Sequence, residues 1–348
     1  MNKQAEIKRI LIFNVNWLGD VLFSTAVIRN IRRNFPKSYL ACIIPSRCYF
    51  ILKNNPSLDE IIIYDEKDRH RSLLAKLKFI NYLRRKNFDT VFLLHRSFTR
   101  ALITRLAGIK KIIGYYTKKR GFLLTCKISP PKIESIHRIN YYLGLIEKAG
   151  LRVEDSHADF YIEAHDMESA ENFLKKHSLG SSDFLVVINP GGNWFCKRWP
   201  PEYWARLSDM LIENLNARVI ISGAVQDRLL AKKIRDLMKA SPIIAAGEFN
   251  LKQLGGLIKK ADLFITADSG PLHIANALNA KHIIAIFGPT SPNITGPYPL
   301  KSNTVVLRKD IGCKVPCYVV NCRDNRCMKI ITPEEVFQKI KENLADDR

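Results

Sequence analysis

The stretch Leu263-Phe264-Ile265-Thr266-Ala267-Asp268-Ser269-Gly270-Pro271-Leu272-His273-Ile274-Ala275 decides the fold. An unbroken apolar run, rather than an alternating one, is what a strand buried on both faces requires, and that burial is a property of parallel sheets. Asp268 stands where the strand ends, and Pro271 is placed to open a helix. Ser269 and Gly270 can offer backbone N–H groups at the helix N-terminus, where the dipole favours an anion. A second apolar run, 282–287, ends at Gly288-Pro289-Thr290. Two such loops at the carboxyl edge of a parallel sheet form a crevice of the kind that holds nucleotides.

Outward from this stretch, the same alternation covers the chain. In the first half, strand patterns at 9–15, 39–44, 60–63, 90–94 and 111–113 interleave with helical patterns at 20–34, 47–54, 71–86, 97–107 and 135–149. In the second, strands at 184–189, 217–222, 242–245, 262–266 and 282–287 interleave with helices at 166–177, 201–214, 225–239, 251–259 and 271–278. Strand–helix alternation at this spacing predicts doubly wound α/β sheets. The polar segment 150–160 suits a connector, and 348 residues suit two domains. The expected organisation is a domain over 1–160, a second over 161–332, and a segment 333–348. Its helix over 333–345 is started by Pro333 and two acids, and is expected to cross back to the first domain.

Charge divides unevenly. Of a formal net +22, residues 1–150 carry 29 Lys/Arg against 10 Asp/Glu, whereas 151–348 carry 26 against 23. A basic half points to one domain that meets an anionic partner. The densest segment, 67–86, holds eight Lys/Arg and one acid, Asp68, with Leu73, Leu74, Leu77, Ile80 and Leu83 at helical spacing. That pattern is a basic amphipathic helix, which either packs its leucines on the sheet or also lies on an anionic membrane. No RNA-recognition motif or aromatic-interleaved basic strand is present, so no nucleic-acid partner is expected. No apolar run spans a bilayer, and the charged start leads directly into a strand, which predicts a cytoplasmic location with reduced thiols.

Three motifs together resemble glycosyltransferase family 9, the bacterial lipopolysaccharide heptosyltransferases. They are Ile10 to Asp20 with its Leu-Gly-Asp turn, Asn189 to Pro200 with its Lys-Arg-Trp-Pro, and Asp-Ser-Gly-Pro-Leu-His followed by Phe-Gly-Pro-Thr. The resemblance covers nearly the whole chain and leans toward the heptosyltransferase II branch. It implies a GT-B fold, two Rossmann-like domains facing across a cleft. It also implies inverting transfer from ADP-heptose to the inner core of lipopolysaccharide, at the cytoplasmic face of the inner membrane. Asn14-Val15-Asn16-Trp17 departs from the family's small Ser/Thr-rich turn, which leaves the acceptor open.

Residue by residue, Asp20 looks like the general base that removes the acceptor hydroxyl proton, with a helix cap as its alternative. Gly19 lets the backbone turn beside it. Lys197 resembles the cation that stabilises the leaving diphosphate, with a solvated loop cation as the alternative. Asp268 resembles a ligand of the sugar hydroxyls, and Ser269, Gly270 and His273 resemble phosphate-side contacts. Gly191, Gly192 and Asn193 permit close approach of the donor. Asp227 and Phe249 fall near the positions that hold the nucleoside. His95, Arg96, Arg100, Lys118, Lys119 and Arg120 are acceptor candidates on charge and loop placement.

No Asp-x-Asp pair is present and no cofactor is expected, which predicts metal-independent transfer. Cys313, Cys317, Cys322 and Cys327 would suit a tetrahedral zinc by number, but their spacing lacks the usual Cys-x-x-Cys pairs and favours reduced thiols. A single glycine in 14–19 argues against a dinucleotide oxidoreductase, which needs Gly-x-Gly-x-x-Gly there. The alternatives are a related transferase using another nucleotide-sugar, and a non-catalytic nucleotide-sugar or polyanion-binding protein.

Overall fold

The computed structural model describes residues 7–192, 194–317, 319 and 322–345, and the chain forms two compact units, Met1–Phe160 and Tyr161–Arg348. The first holds a six-stranded sheet of β1 (Arg9–Phe13), β2 (Tyr39–Ile44), β3 (Glu60–Ile63), β4 (Thr90–Leu93), β5 (Lys111–Tyr115) and β6 (Cys126–Ile128), in the order β3-β2-β1-β4-β5-β6. Every pair is parallel. The chain winds outward from β1 to β3 and then returns to place β4 on the other side of β1. The order therefore reverses between β1 and β4, and the loops after these two strands flank that point.

The helices of this unit are α1 (Leu18–Phe23), α2 (Thr25–Asn34), α3 (Tyr49–Leu52), α4 (Leu73–Arg85), α5 (Phe98–Leu106) and α6 (Arg138–Lys148). The continuous helix expected over 20–34 is instead two helices that meet at Ser24. The Ser24 and Thr25 hydroxyls donate to the Val21 and Leu22 carbonyls, each at 2.6 Å, and this competition with the helical ladder bends the chain there. The segment 150–160 is tied to this unit because the buried Arg29 of α2 donates to Asp155, Asp159 and the His157 carbonyl.

The second unit repeats the plan. Its strands are β7 (Phe184–Asn189), β8 (Ala217–Ile221), β9 (Ile243–Ile244), β10 (Leu263–Ala267), β11 (Ile283–Ile286) and β12 (Thr304–Leu307), in the order β12-β11-β10-β7-β8-β9, all parallel. Here the reversal lies between β7 and β10. The flanking helices are α7 (Ala164–Lys176), α8 (Pro201–Leu215), α9 (Arg228–Leu237), α10 (Leu251–Lys260), α11 (Gly270–Ala277), α12 (Pro292–Thr295), α13 (Arg326–Lys329) and α14 (Pro333–Ala345). The apolar face of α14, which the sequence left for a return to the first domain, is used inside this unit: Val336, Phe337 and Ile340 join the core of Val186, Ile188 and Trp204.

Candidate functional site

In the second unit the loops after β7, β10 and β11 converge at the point of strand reversal. Asp268, buried at the end of β10, accepts from Lys197 Nζ at 2.6 Å and from Thr290 Oγ1 at 2.5 Å. Three loops thus meet on one carboxylate, and Lys197 is not a solvated loop cation. Its ammonium also lies 5.0 Å from the centre of the Trp194 ring. One N–H serves Asp268, and an ammonium has two more to offer a bound anion.

The base of this site is a polar web at the strand ends. Ser222 Oγ lies 3.0 Å from the Ile188 carbonyl and 3.2 Å from Asn189 Oδ1, and Thr266 Oγ1 lies 3.1 Å from Ser269 Oγ. These contacts fix Ser269 directly before α11, whose first turn holds Gly270 and Pro271. Pro271 has no N–H, so the turn's free donors lie on its neighbours. His273, expected to face the ligand, is only 5% exposed. The loop after β7 is shaped from both ends. Arg198 Nε donates to the Gly192 carbonyl at 2.8 Å, and the buried Trp199 donates its indole N–H to the Ile331 carbonyl at 2.8 Å.

Asp227, expected near the nucleoside, has a local structural task. It accepts from the Ala224 N–H at 3.0 Å, and a Cβ at Gly191 would sit 2.5 Å from its Oδ2, so a side chain there would displace the Asp227 carboxylate. Phe249 packs edge-on against Phe173 of α7, with ring centres 5.0 Å apart. Asn193 lies outside the described residues.

In the first unit Asp20 occupies the third position of α1, while Trp17 is the N-cap, so Asp20 is not the cap residue. Its Oδ1 accepts from the Tyr142 hydroxyl of α6 at 2.8 Å. Burial, and then the neighbouring Asp20 charge, push the Tyr142 hydroxyl well above its ordinary value, so it remains a proton donor. Nothing in the local sequence marks Tyr142, which lies 122 positions away.

Two of the expected acceptor contacts are corrected. Arg100 is buried and donates to the Asn14 carbonyl and Asn16 Oδ1, which joins the loop after β1 to α5. Arg120 is fully buried and donates to the Tyr115 carbonyl at 2.7 Å and the His95 carbonyl at 2.5 Å. Burial lowers both guanidinium groups to about 10, and they remain charged at neutral pH. They brace the carboxyl edge rather than reach into solvent. Arg96, Lys118 and Lys119 are exposed there, beside half-buried Gly19 and His95.

The sequence reading missed a fifth thiol. Cys196, in the turn that carries Lys197, lines one cavity with Cys313, Cys317, Cys322 and Cys327. None of the eight cysteines is in a disulfide. Among the described residues, the side chains close enough to share a metal ion are instead Glu163, His165 and Asp166. Asp166 there serves the capping box of α7.

The model of glycosyltransferase family 9 (heptosyltransferase) matches residues 76–327, most of the chain. This chain belongs to glycosyltransferase family 9. It is similar to lipooligosaccharide heptosyltransferase 2 of Haemophilus ducreyi, at 28% identity over 97% of this chain and 99% of that one. It is also similar to lipopolysaccharide heptosyltransferase 2 of Escherichia coli, at 25% identity over 86% and 88%. Among solved structures, the family 9 glycosyltransferase of Veillonella parvula superposes with a TM-score of 0.88 at 24% identity, covering 99% of each chain. The E. coli ADP-heptose lipopolysaccharide heptosyltransferase II does so at 0.79 and 24%, covering 97% of this chain and 99% of that one. This family 9 enzyme is thus a glycosyltransferase of the GT-B class, with two Rossmann-like domains.

Proposed function

We propose that the enzyme transfers a heptose from ADP-heptose to the anionic inner core of lipopolysaccharide, with inversion at the anomeric carbon. The observation that carries this reading is the meeting of Lys197, Thr290 and Asp268 at the point of strand reversal, beside the start of α11. A nucleotide diphosphate placed there meets an ammonium and helix N–H groups, which stabilise charge as it builds on the leaving group. Asp268 then presents carboxylate oxygen to sugar hydroxyls. The names of the similar enzymes support heptose as the sugar and lipopolysaccharide as the acceptor.

Asp20 is the proposed base. The Tyr142 hydroxyl orients its carboxylate, which takes the proton of the attacking acceptor hydroxyl as the new glycosidic bond forms and the bond to the nucleotide breaks. With Lys197 and helix N–H groups in place, transfer is proposed to need no metal. The basic first domain supports an anionic acceptor, with Arg96, Lys118 and Lys119 among its exposed cations. The test is transfer from ADP-heptose to heptose-deficient lipopolysaccharide, with and without EDTA. Product of inverted configuration in both conditions is expected. No transfer from ADP-heptose while another nucleotide-sugar reacts would refute the donor, and loss of activity in EDTA would refute metal independence.

A further inference from the structure

The loop after β1 is fixed by hydrogen bonds up to the residue it presents to solvent. The Asn14 N–H donates to the Ile43 carbonyl at 3.1 Å, and Asn14 Oδ1 accepts from the Val15 N–H at 2.7 Å. Asn16 is clasped from two sides. Its Oδ1 accepts from the buried Arg100, and its carbonyl accepts from Arg47 Nη2 at 2.8 Å and Nε at 3.2 Å. Trp17 comes next and is 57% exposed. Its carbonyl accepts from the Val21 N–H at 2.9 Å, which ties it to the turn of α1 that holds Asp20.

Two of the other three tryptophans, Trp199 and Trp204, are buried in the core of the second unit. An indole left in water on a braced backbone forgoes one of the largest apolar burials a side chain can make. The backbone on both sides of Trp17 is bonded, so its exposure is not that of a frayed loop. The Arg47 guanidinium, in the turn after β2, lies 5.5 Å from the centre of the Trp17 ring. Arg47 is exposed, and its Nη1 makes no hydrogen bond among the described residues. It keeps donors for an anion after serving Asn16.

We infer that Trp17 and Arg47 form a subsite for the acceptor. The sugar ring that carries the attacking hydroxyl packs its C–H face on the indole, and an anionic substituent of that sugar, carboxylate or phosphate, meets the guanidinium. The C–H groups of a pyranose are apolar and weakly positive, which suits the negative face of an aromatic ring. Its charged substituent needs N–H donors, which a guanidinium supplies in a fixed fork. Indole alone would accept a neutral sugar, and guanidinium alone would accept any anion. Side by side they select a sugar ring with a charge next to it. Binding energy gained there, away from the reacting atoms, orients the hydroxyl toward the base. The inference deepens the proposed function and rests on it in one respect: Asp20 as base puts the attacking hydroxyl within one helical turn of Trp17.

The test is steady-state transfer from saturating ADP-heptose to heptose-deficient lipopolysaccharide. Trp17→Ala should raise KM for the acceptor by about tenfold. Trp17→Phe should keep most of the native value, whereas Trp17→Leu should behave like the alanine variant. Arg47→Gln retains an N–H for the Asn16 carbonyl and should raise the same KM by about fivefold or more. ADP titration should give the wild-type Kd in all four variants, because the second unit is untouched. Acceptor treated with alkaline phosphatase identifies the anion: a phosphate if the Arg47→Gln effect vanishes, a carboxylate if it persists. Wild-type KM in Trp17→Ala or Arg47→Gln, or equal values for Trp17→Phe and Trp17→Leu, would overturn the inference and leave the proposed function standing. Absence of transfer by the wild-type enzyme would strike the proposed function and this inference together.

Discussion

The Tyr142 hydroxyl donates to Asp20 at 2.8 Å and joins α6 to the first turn of α1. As the proposed general base, Asp20 must hold its carboxylate toward the proton it removes, and this bond is proposed to supply that orientation. Asp20→Asn should reduce kcat by about 10²–10⁴-fold with donor affinity unchanged. Tyr142→Phe should lower kcat by a smaller factor. Because burial and Asp20 keep this hydroxyl protonated, the wild-type rate should show no loss from its ionisation up to about pH 10. Steady-state kinetics of both variants decide the point, and an Asp20→Asn enzyme with near-native kcat would remove the base role.

Lys197 and Asp268 should behave as a unit. Removal of either leaves a charge that the native site pairs at 2.6 Å, and Asp268 is buried. Lys197→Ala and Asp268→Ala should each weaken ADP-heptose binding and lower kcat. The double variant should lose less than the product of the two effects, with a coupling of about 1–3 kcal/mol. Strictly additive losses would mean that the pair has no joint role.

The arginines at the first sheet's carboxyl edge should divide by burial. Arg120→Ala removes hydrogen bonds to the Tyr115 and His95 carbonyls from a fully buried position, and should cost about 2–4 kcal/mol of stability. Arg96→Ala, Lys118→Ala and Lys119→Ala should leave the melting temperature nearly unchanged and raise KM for the acceptor. A stable Arg120→Ala protein would contradict the bracing role.

His95 gives the fold a measurable acid sensitivity. Burial, followed by the charges of Arg100, Arg120 and Arg96, lowers its imidazole to about 4. The unfolded chain therefore binds this proton at a higher pH than the native chain does. The associated stability is present above about pH 6.5 and is lost as pH falls toward 4. With solvent screening, the loss should be about 1–2 kcal/mol. The ring Nδ1 accepts from the Ser97 N–H at 3.0 Å, so His95→Asn keeps an acceptor and removes the titration. Urea unfolding between pH 4 and 7 should show a flatter slope for that variant, and equal slopes would dismiss the assignment.

Most of the architecture was legible because buried parallel strands leave unbroken apolar runs and their helices leave a 3.6-residue period. β6 escaped because it has three residues, with Lys127 exposed in the middle. β12 escaped because it is a four-residue edge strand that ends the sheet. At the candidate site, Asp268, Lys197 and Asp20 were singled out by their motifs, and the structure gives each a hydrogen-bond partner. Arg100 and Arg120 were misplaced because a buried arginine that serves backbone carbonyls looks, in sequence, like any loop cation. Tyr142 and Cys196 could not be read locally, since both depend on contacts made across long stretches of chain.

The central proposal is a second domain built for an adenosine diphosphate sugar. Calorimetric titration of the purified enzyme with ADP, ADP-heptose, UDP and NAD, without added metal, tests it most directly. The account predicts saturable binding of ADP and ADP-heptose, abolished or strongly weakened in Asp268→Ala. Preference for UDP would contradict the heptose donor while sparing the fold, and absence of nucleotide binding would contradict the site itself.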